Sequence, residues 1–334
     1  MNLAKRFFTD NLMQIKNLIV TTVFLASILV AFLLSSCDKV ENPYPPQYVD
    51  IDTTLLYGVT FQQYKNTLWT DFTPNTNTNV NVMIEDFTGH KCTNCPLAAV
   101  EARAIEAANE GRVFVASIHA GPNGTIPFQN TTGALFFHDF TNPQGLQIST
   151  EITDGGFIGN PSGTVNRKLF GGQVFQNYSS WTSYASTILT ANDLKTNLQA
   201  ITNYFPETRG LFVHTEIDVL ETIADDLYQV VYLLEDSLIA PQITPTAWSF
   251  PSNIDEQYVH RDIHRACIDG FAMGRKLTEA NKVDKNGDPT TGNKYYLNYS
   301  YKLPDQYNPD NMHLLIYVYN KTTKEVLQVI RKDF

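Results

Sequence analysis

The sequence predicts a mixed chain, an α/β segment over residues 80–191 followed by an all-β sandwich over residues 192–334. Three observations carry that expectation. A strand, a helix of about four turns and a second strand follow one another between Asn81 and Ala120, which is the order of a βαβ unit with parallel strands. After Asn192, six or seven short β-rich runs are separated by turn clusters, with no helical period between them. Ahead of both lies a positively flanked apolar run that belongs to neither.

That run comes first in the chain. Lys5, Arg6 and Lys16 flank an uncharged apolar stretch from Leu18 to Leu34, and "LLSSC" closes it at Cys37. This is the layout of a secretory signal, and its end resembles a lipobox, in which small residues precede a cysteine that is lipidated and becomes the new N-terminus. The expectation is a lipoprotein signal peptide over 1–36, with membrane anchoring through diacylglyceryl on Cys37. Residues 37–79 would then hold the lipidated cysteine, a Pro- and Asp-rich tether and a leading strand.

From Asn81 the periods are legible. "VNVMIEDF" is a short β-branched run that reads as a buried strand. In "PLAAVEARAIEAANEG", Leu97, Val100, Ala104, Ile105 and Ala108 recur at helical spacing, with Pro96 suited to the first turn and Gly111 to the stop. "RVFVASIHA" supplies the second strand. "ALFFHDFTNPQGLQIST" holds a short helix, and "NPSGTVNRKLF" returns as turn and strand. "SSWTSYASTILTAN" sets Trp181, Tyr184, Ile188 and Leu189 on one helical face, with Ser180 as N-cap. The later β-rich runs are dense in tyrosine (Tyr295, Tyr296, Tyr299, Tyr301, Tyr317, Tyr319), read as cross-strand packing pairs.

With 334 residues, 43% hydrophobic and 17% charged, the chain is long enough for two cores. Three basic residues and one acidic residue fall within 1–36, so the remainder carries 21 against 33, a net charge of −12. No basic stripe remains, which argues against a nucleic-acid partner. An exported chain also lies in a compartment that permits disulfides.

The chemistry centres on "EDFTGHKCTNCP", Glu85 to Pro96. Cys92 and Cys95 stand between a strand and a helix that Pro96 opens. A thiolate just before a helix is favoured by unpaired backbone N–H groups and the positive end of the helix dipole. Cys92 is therefore the expected nucleophile and Cys95, one turn inside the helix, its resolving partner. Lys91 beside Cys92 would favour the thiolate further. The segment resembles the active-site stretch of the thioredoxin family, with Asp86 and Phe87 closing the strand and Cys92 six residues beyond Asp86. "FIGNPSGTV" resembles that family's cis-proline loop, which makes Pro161 the matching residue and Asn160 the one before it. The resemblance implies a thioredoxin-like domain over 80–191, with Asp86 as buried proton acceptor and Pro161, Asn160 and Lys91 beside the substrate. Departures accompany it: Lys91 replaces tryptophan, Thr93-Asn94 replaces Gly-Pro, and Asn160 precedes the proline.

Over nearly all of residues 37–334, the lipobox, "IEDFTGHKCTNCP", "GNPSGTVNR", "YVHRDIHRACIDG" and "YNKTTKEVLQ" together resemble the Omp28-related outer-membrane lipoproteins of Bacteroidetes. That resemblance implies a thioredoxin-like domain followed by an immunoglobulin-like sandwich at the outer membrane, and it implies no particular reaction or cofactor.

Other candidates read less sharply. His90, Cys92 and Cys95 would offer soft ligands to copper or zinc. No second histidine is placed there by the sequence, so His90 reads as a turn residue that tunes Cys92. His260 and His264 on one strand would stand about 13 Å apart, too far to share an ion. Cys267 reads as a buried lone thiol, and "DKNGD", Asp284 to Asp288, as a hairpin turn. Two main functions follow. The first is an envelope thiol–disulfide oxidoreductase acting on a protein thiol or disulfide. The second is a surface binding module in which Cys92–Cys95 is a structural disulfide and the sandwich presents the ligand face; a copper carrier ranks behind both.

Overall fold

A computed structural model describes residues 51–131, 135–152, 156–157, 159–277, 285 and 293–334. The segment read as a signal, Cys37 and all of the "DKNGD" stretch but Lys285 lie outside the described residues. In chain order come helix α1 (Phe61–Thr67), strand β1 (Val82–Phe87), α2 (Cys95–Ala108), β2 (Val113–Ile118), α3 (Pro143–Glu151), β3 (Ser162–Val165) and α4 (Trp181–Ala191). Strands follow: β4 (Thr196–Phe205), β5 (Gly210–Val219), β6 (Leu227–Glu235), β7 (Leu238–Ile239), β8 (Gln242–Ile243), β9 (Ile254–Asp255) and β10 (Val259–His260). The chain closes with β11 (Ile263–Cys267), β12 (Arg275–Lys276), β13 (Lys294–Lys302), β14 (Met312–Asn320) and β15 (Val326–Asp333).

Side-chain parity explains how the layers stack. β14 is buried along its whole length, because both of its faces meet protein. Leu314, Ile316 and Val318 pack with Leu198, Leu211 and Val213 of the three-stranded sheet β13-β5-β4. Leu315, Tyr317 and Tyr319 turn the other way, to a core shared with Met83, Phe87 and Ile118. β6 divides likewise, Val231 and Leu233 against Val230, Tyr232 and Leu234. Within residues 192–334 the antiparallel sheet β13-β5-β4 thus packs on the face of β14 and β6 that carries Leu314, Ile316, Val231 and Leu233.

The sequence predicts two separate layers systems, and here the structure differs. One sheet runs in the order β15-β14-β6-β11-β2-β1-β3, with β12 appended to β6, so it crosses position 192. The join is β11 lying parallel to β2, Ile263 opposite Ser117, with the Ser117 amide donating to the Asp262 carbonyl at 2.8 Å. The expected βαβ unit is present, β1 and β2 parallel and α2 between them, and β3 pairs antiparallel to β1.

Helices α2 and α4 cover one face of β1 and β2. The apolar face read for α2 is out of phase: Ala98, Ala102 and Ile105 are buried, whereas Val100 is 57% exposed and Ala104 and Ala108 face solvent. Small alanines let the helix lie close to the sheet, so volume outranks hydrophobicity in choosing the inner face. Beneath them Trp181 is fully buried, and a Cβ at Gly163 would stand 2.3 Å from its ring, so only glycine fits there. Ser180 precedes α4 without a side-chain capping bond.

Residues 51–79 were expected as tether and leading strand. They instead hold a one-turn helix and α1, and no strand among the described residues. Leu55, Tyr64 and Trp69 pack on Phe205 and Phe212 of the sandwich. Trp69 stacks on His214 at 3.8 Å, and the Tyr64 hydroxyl bonds His214 Nε2 at 2.6 Å. Three aromatic and aliphatic anchors in a polar stretch suffice to dock it.

The two cores are clamped by Glu85 and Arg167, both fully buried. Arg167 donates from Nε to Glu85 Oε2 at 2.8 Å and from Nη2 to Oε1 at 2.7 Å. Nη2 also donates to the Tyr232 and Tyr317 hydroxyl oxygens, Tyr232 donates to Glu85 Oε1 and Thr164 donates to Oε2. Burial opposes charge on Glu85, yet the Arg167 guanidinium and these hydrogen bonds hold its carboxyl below the ordinary range. Removing one partner leaves an uncompensated buried charge. Arg167→Met is expected to cost about 3–5 kcal/mol in urea unfolding. Adding Glu85→Leu should recover part of that loss; a double variant less stable than the single one would count against the clamp.

Candidate functional site

β1 ends at Phe87, and the Thr88 amide still bonds the Ile118 carbonyl, so the turn that follows starts from the sheet edge where β2 also ends. The turn closes on itself, the Cys92 amide donating to Gly89 and the Cys95 amide to Cys92. Glycine is required at 89, where a Cβ would meet Gln129 Nε2 at 2.3 Å and Phe128 Cβ at 2.6 Å. Cys92 and Cys95 form a disulfide with Cα atoms 5.4 Å apart. Cys95 is the first residue of α2, not one turn inside it, because Pro96 lacks a donor and fits the first turn directly after it. Asn94 makes no side-chain capping bond to α2.

Parity on β1 sorts two adjacent carboxylates. Glu85 points to Arg167, while Asp86 points to the side of Ile84, where α2 lies. Asp86 is buried and its Oδ1 has no hydrogen-bond partner. Burial pushes its carboxyl up to about 7, against the opposing pull of Arg103. Asp86 lines a cavity of about 360 Å³ together with Cys95, Pro96, Arg103, Tyr258 and His260.

Part of that wall comes from the sandwich. Between β6 and β11 the chain leaves the sheet over residues 236–262 and carries β7 to β10 across the turn. Gln242 Nε2 donates to the Cys92 carbonyl at 3.1 Å and to that of Gly89 at 3.3 Å, and the Ile243 amide donates to His90 at 2.8 Å. Tyr258 is pushed to about 12 by burial and by the neighbouring Asp86 charge.

The remaining predicted residues fall at the same end of the sheet in part. The Asn160–Pro161 peptide is cis, and Asn160 Nδ2 donates to the Thr88 and Ala120 carbonyls at 3.2 and 2.8 Å. Asn160 thus ties its loop to the ends of β1 and β2. Lys91 Nζ stands 5.0 Å from the centre of the Phe136 ring, where the π face attracts a cation. His90 sits in the turn, its Nε2 3.3 Å from the Asn130 carbonyl and its ring against Phe136 and Phe140. Burial lowers its basicity first, and Lys91 and His138 act the same way.

His119, for which the sequence offered no placement, does reach this region, Nδ1 bonded to Gln129 Oε1 at 2.8 Å and its ring 6.0 Å from that of His260. Burial holds His119 well below the ordinary histidine value and His260 at about 4. His260 and His264 do not share one strand, since the chain breaks at Arg261 and Asp262 between β10 and β11. Among the described residues no group of three or more His, Cys, Asp or Glu side chains is placed to hold a metal ion. Cys267 is buried, 3.7 Å from His264 Nε2, and burial raises its thiol well above the ordinary value.

Sequence reasoning missed Gln242, Tyr258 and Arg167.

Asp86 gives a signed pH dependence. Folded, it keeps its proton to about pH 7; unfolded, it would lose it near 3.8. Its contribution to stability is fully present below the unfolded value and is lost as pH rises through 7. Asp86→Asn should therefore match the parent near pH 4 and exceed it by a few kcal/mol at pH 8, read from urea midpoints across that range. A constant difference across the range would refute the buried ionisation.

Comparison with known proteins adds the family. Residues 152–334 match the profile described as outer membrane protein Omp28. The chain is similar in fold to HBP35 of Porphyromonas gingivalis, with a TM-score of 0.56 at 16% identity, covering 78% of this chain and 77% of that one. A domain of the outer membrane lipoprotein Omp28 from the same organism overlaps 42% of this chain and 89% of its own, at 17% identity and a TM-score of 0.26, too low to carry an argument. Among curated proteins none matches. With more than half of its length matched by that profile, the chain belongs to the Omp28 family, and its place is the outer membrane of the cell envelope.

Proposed function

We propose that the protein is an envelope lipoprotein whose Cys92–Cys95 pair carries out thiol–disulfide exchange. The observation that carries this reading is the pairing of a disulfide at the start of α2 with a buried carboxyl, Asp86, that has an unpartnered oxygen and lines the same cavity as Cys95. A carboxyl left without a partner costs stability, and such groups persist where a proton has to be handled. Asp86 takes the proton of an incoming thiol, the helix start stabilises the departing thiolate, and Pro161 with Asn160 holds the neighbouring loop in place.

The finer architecture goes with it. β1, α2, β2, β3 and α4 in residues 80–191 are read as a thioredoxin-like part, supported by the parallel β1–β2 pair, the antiparallel β3 and the cis Asn160–Pro161 bond that opens it. The sandwich of residues 192–334 is read as immunoglobulin-like, supported by its two facing antiparallel sheets. Residues 1–36 act as signal peptide and Cys37 bears the lipid, supported by the "LLSSC" pattern and by the family's location.

One observation favours the second reading, a structural disulfide in a surface binding module: Cys92 and Cys95 are only 2% and 1% exposed. The reduction potential separates the two. Glutathione titration of the detergent-solubilised full chain, with thiol trapping, is expected to give a value between about −270 and −120 mV, with the transition absent in Cys92→Ser. A value below about −300 mV would establish the structural reading instead.

A further inference from the structure

The disulfide is approached from one side. The cavity wall includes Cys95, Pro96 and Ala99 but not Cys92. The excursion supplies Gln242, Tyr258, Val259, His260 and Arg261 to the same wall, and it grips the turn through the Gln242 bond to the Cys92 carbonyl and the Ile243 bond to His90. A cavity of about 360 Å³ is the size of a small-molecule site, at the low end of the range of roughly 300–1,000 Å³. A stably bound folded partner covers roughly 800 Å² on each side and a transient redox partner less, but in either case a convex surface does not lower a cysteine into a recess. Two exposed valines line the recess, Val100 of α2 and Val259 of β10.

We propose that the exchange partner of this disulfide is a low-molecular-mass thiol, that it enters the cavity and attacks Cys95, the cysteine in the cavity wall, and that residues 236–262 impose this choice by narrowing the approach to a cavity of small-molecule size. The proposal rests on the reading of the pair as an exchange site. In the first step the thiol gives its proton to the Asp86 carboxylate and its sulfur bonds Cys95 Sγ. The Cys92–Cys95 bond breaks, and Cys92 leaves with the electron pair as a thiolate beside the start of α2. A second thiol then attacks the sulfur of the first. Cys95 departs, takes the proton back from Asp86, and Cys92 takes the proton of the second thiol through water. Two thiols are oxidised to one small disulfide, and the protein disulfide is reduced to two thiols.

The test uses L-cysteine on the full chain in detergent, with rapid acid quenching, alkylation by N-ethylmaleimide and peptide mapping by mass spectrometry. The expected product carries cysteine on Cys95 and the alkyl group on Cys92; cysteine on Cys92 with Cys95 alkylated overturns the proposal. Val259→Trp, which adds bulk to the cavity wall, is expected to slow reduction by L-cysteine about tenfold at an unchanged reduction potential, and an unchanged rate overturns it even where no adduct accumulates. Reduction by a folded dithiol protein much faster than by equimolar dithiothreitol also overturns it. A potential in the structural range sinks the exchange reading itself, whereas an exchange-range potential with the adduct on Cys92 sinks only the choice of sulfur and partner.

Discussion

Glu85 and Arg167 hold full charges at zero exposure, and the partners that make this tolerable come from three separate stretches of chain. Thr164 sits on β3, Arg167 just beyond it, Tyr232 on β6 and Tyr317 on β14. A charge in so dry a place is stable only when every partner is in position. The clamp therefore fixes the register of β1 against β3 and the seating of both against the middle of the sandwich sheet. A buried pair adds little net stability compared with a well-packed apolar replacement, so what it contributes here is the choice of one arrangement over its neighbours. A one-residue slip of β1 would put Asp86 against Arg167 and turn Glu85 toward α2.

The same parity leaves Asp86 without what Glu85 has. Two carboxylates adjacent in sequence occupy opposite faces of one strand, one held ionised by a guanidinium and two hydroxyl donors, the other raised toward neutrality by burial. Their separation in acidity comes from environment alone. The clamp thus has a consequence across the strand: by holding Glu85 inward it delivers Asp86 to the cavity beside Cys95.

Much of the site was legible in the sequence because it is local. The strand, the C-x-x-C turn and the helix opened by Pro96 lie within one short stretch, and their order follows from apolar period and proline chemistry. The strands of the sandwich were legible for the same reason, "HLLIYVYN" and "LYQVVYLLED" most of all. What escaped was non-local. Arg167 in "VNRKLF" looks like a surface residue until Glu85 is set beside it. The inner face of α2 was misplaced because Ala98 and Ala102 carry little hydrophobic signal and are chosen for size against Trp181. Residues 51–79 read as tether because three anchors, Leu55, Tyr64 and Trp69, are diluted among polar residues. Gln242 and Tyr258 carry no motif; only the return of the chain from β6 to β11 brings them to the turn.

That return also determines how freely the turn is covered. Glu235 and Ile263, on either side of the excursion, are partners in the sheet, so residues 236–262 form a loop closed at its base. Releasing the turn means breaking the hold of Gln242 and Ile243 on the Gly89, His90 and Cys92 carbonyls, at a net cost near 1 kcal/mol per hydrogen bond. Two or three such bonds make the released state a minor population of roughly one in a hundred. The sandwich is then more than a platform on which the disulfide rests. Through one loop it walls the cavity beside Cys95 and ties down the turn that carries both buried sulfurs, and neither contact is visible to any reading of the C-x-x-C segment by itself.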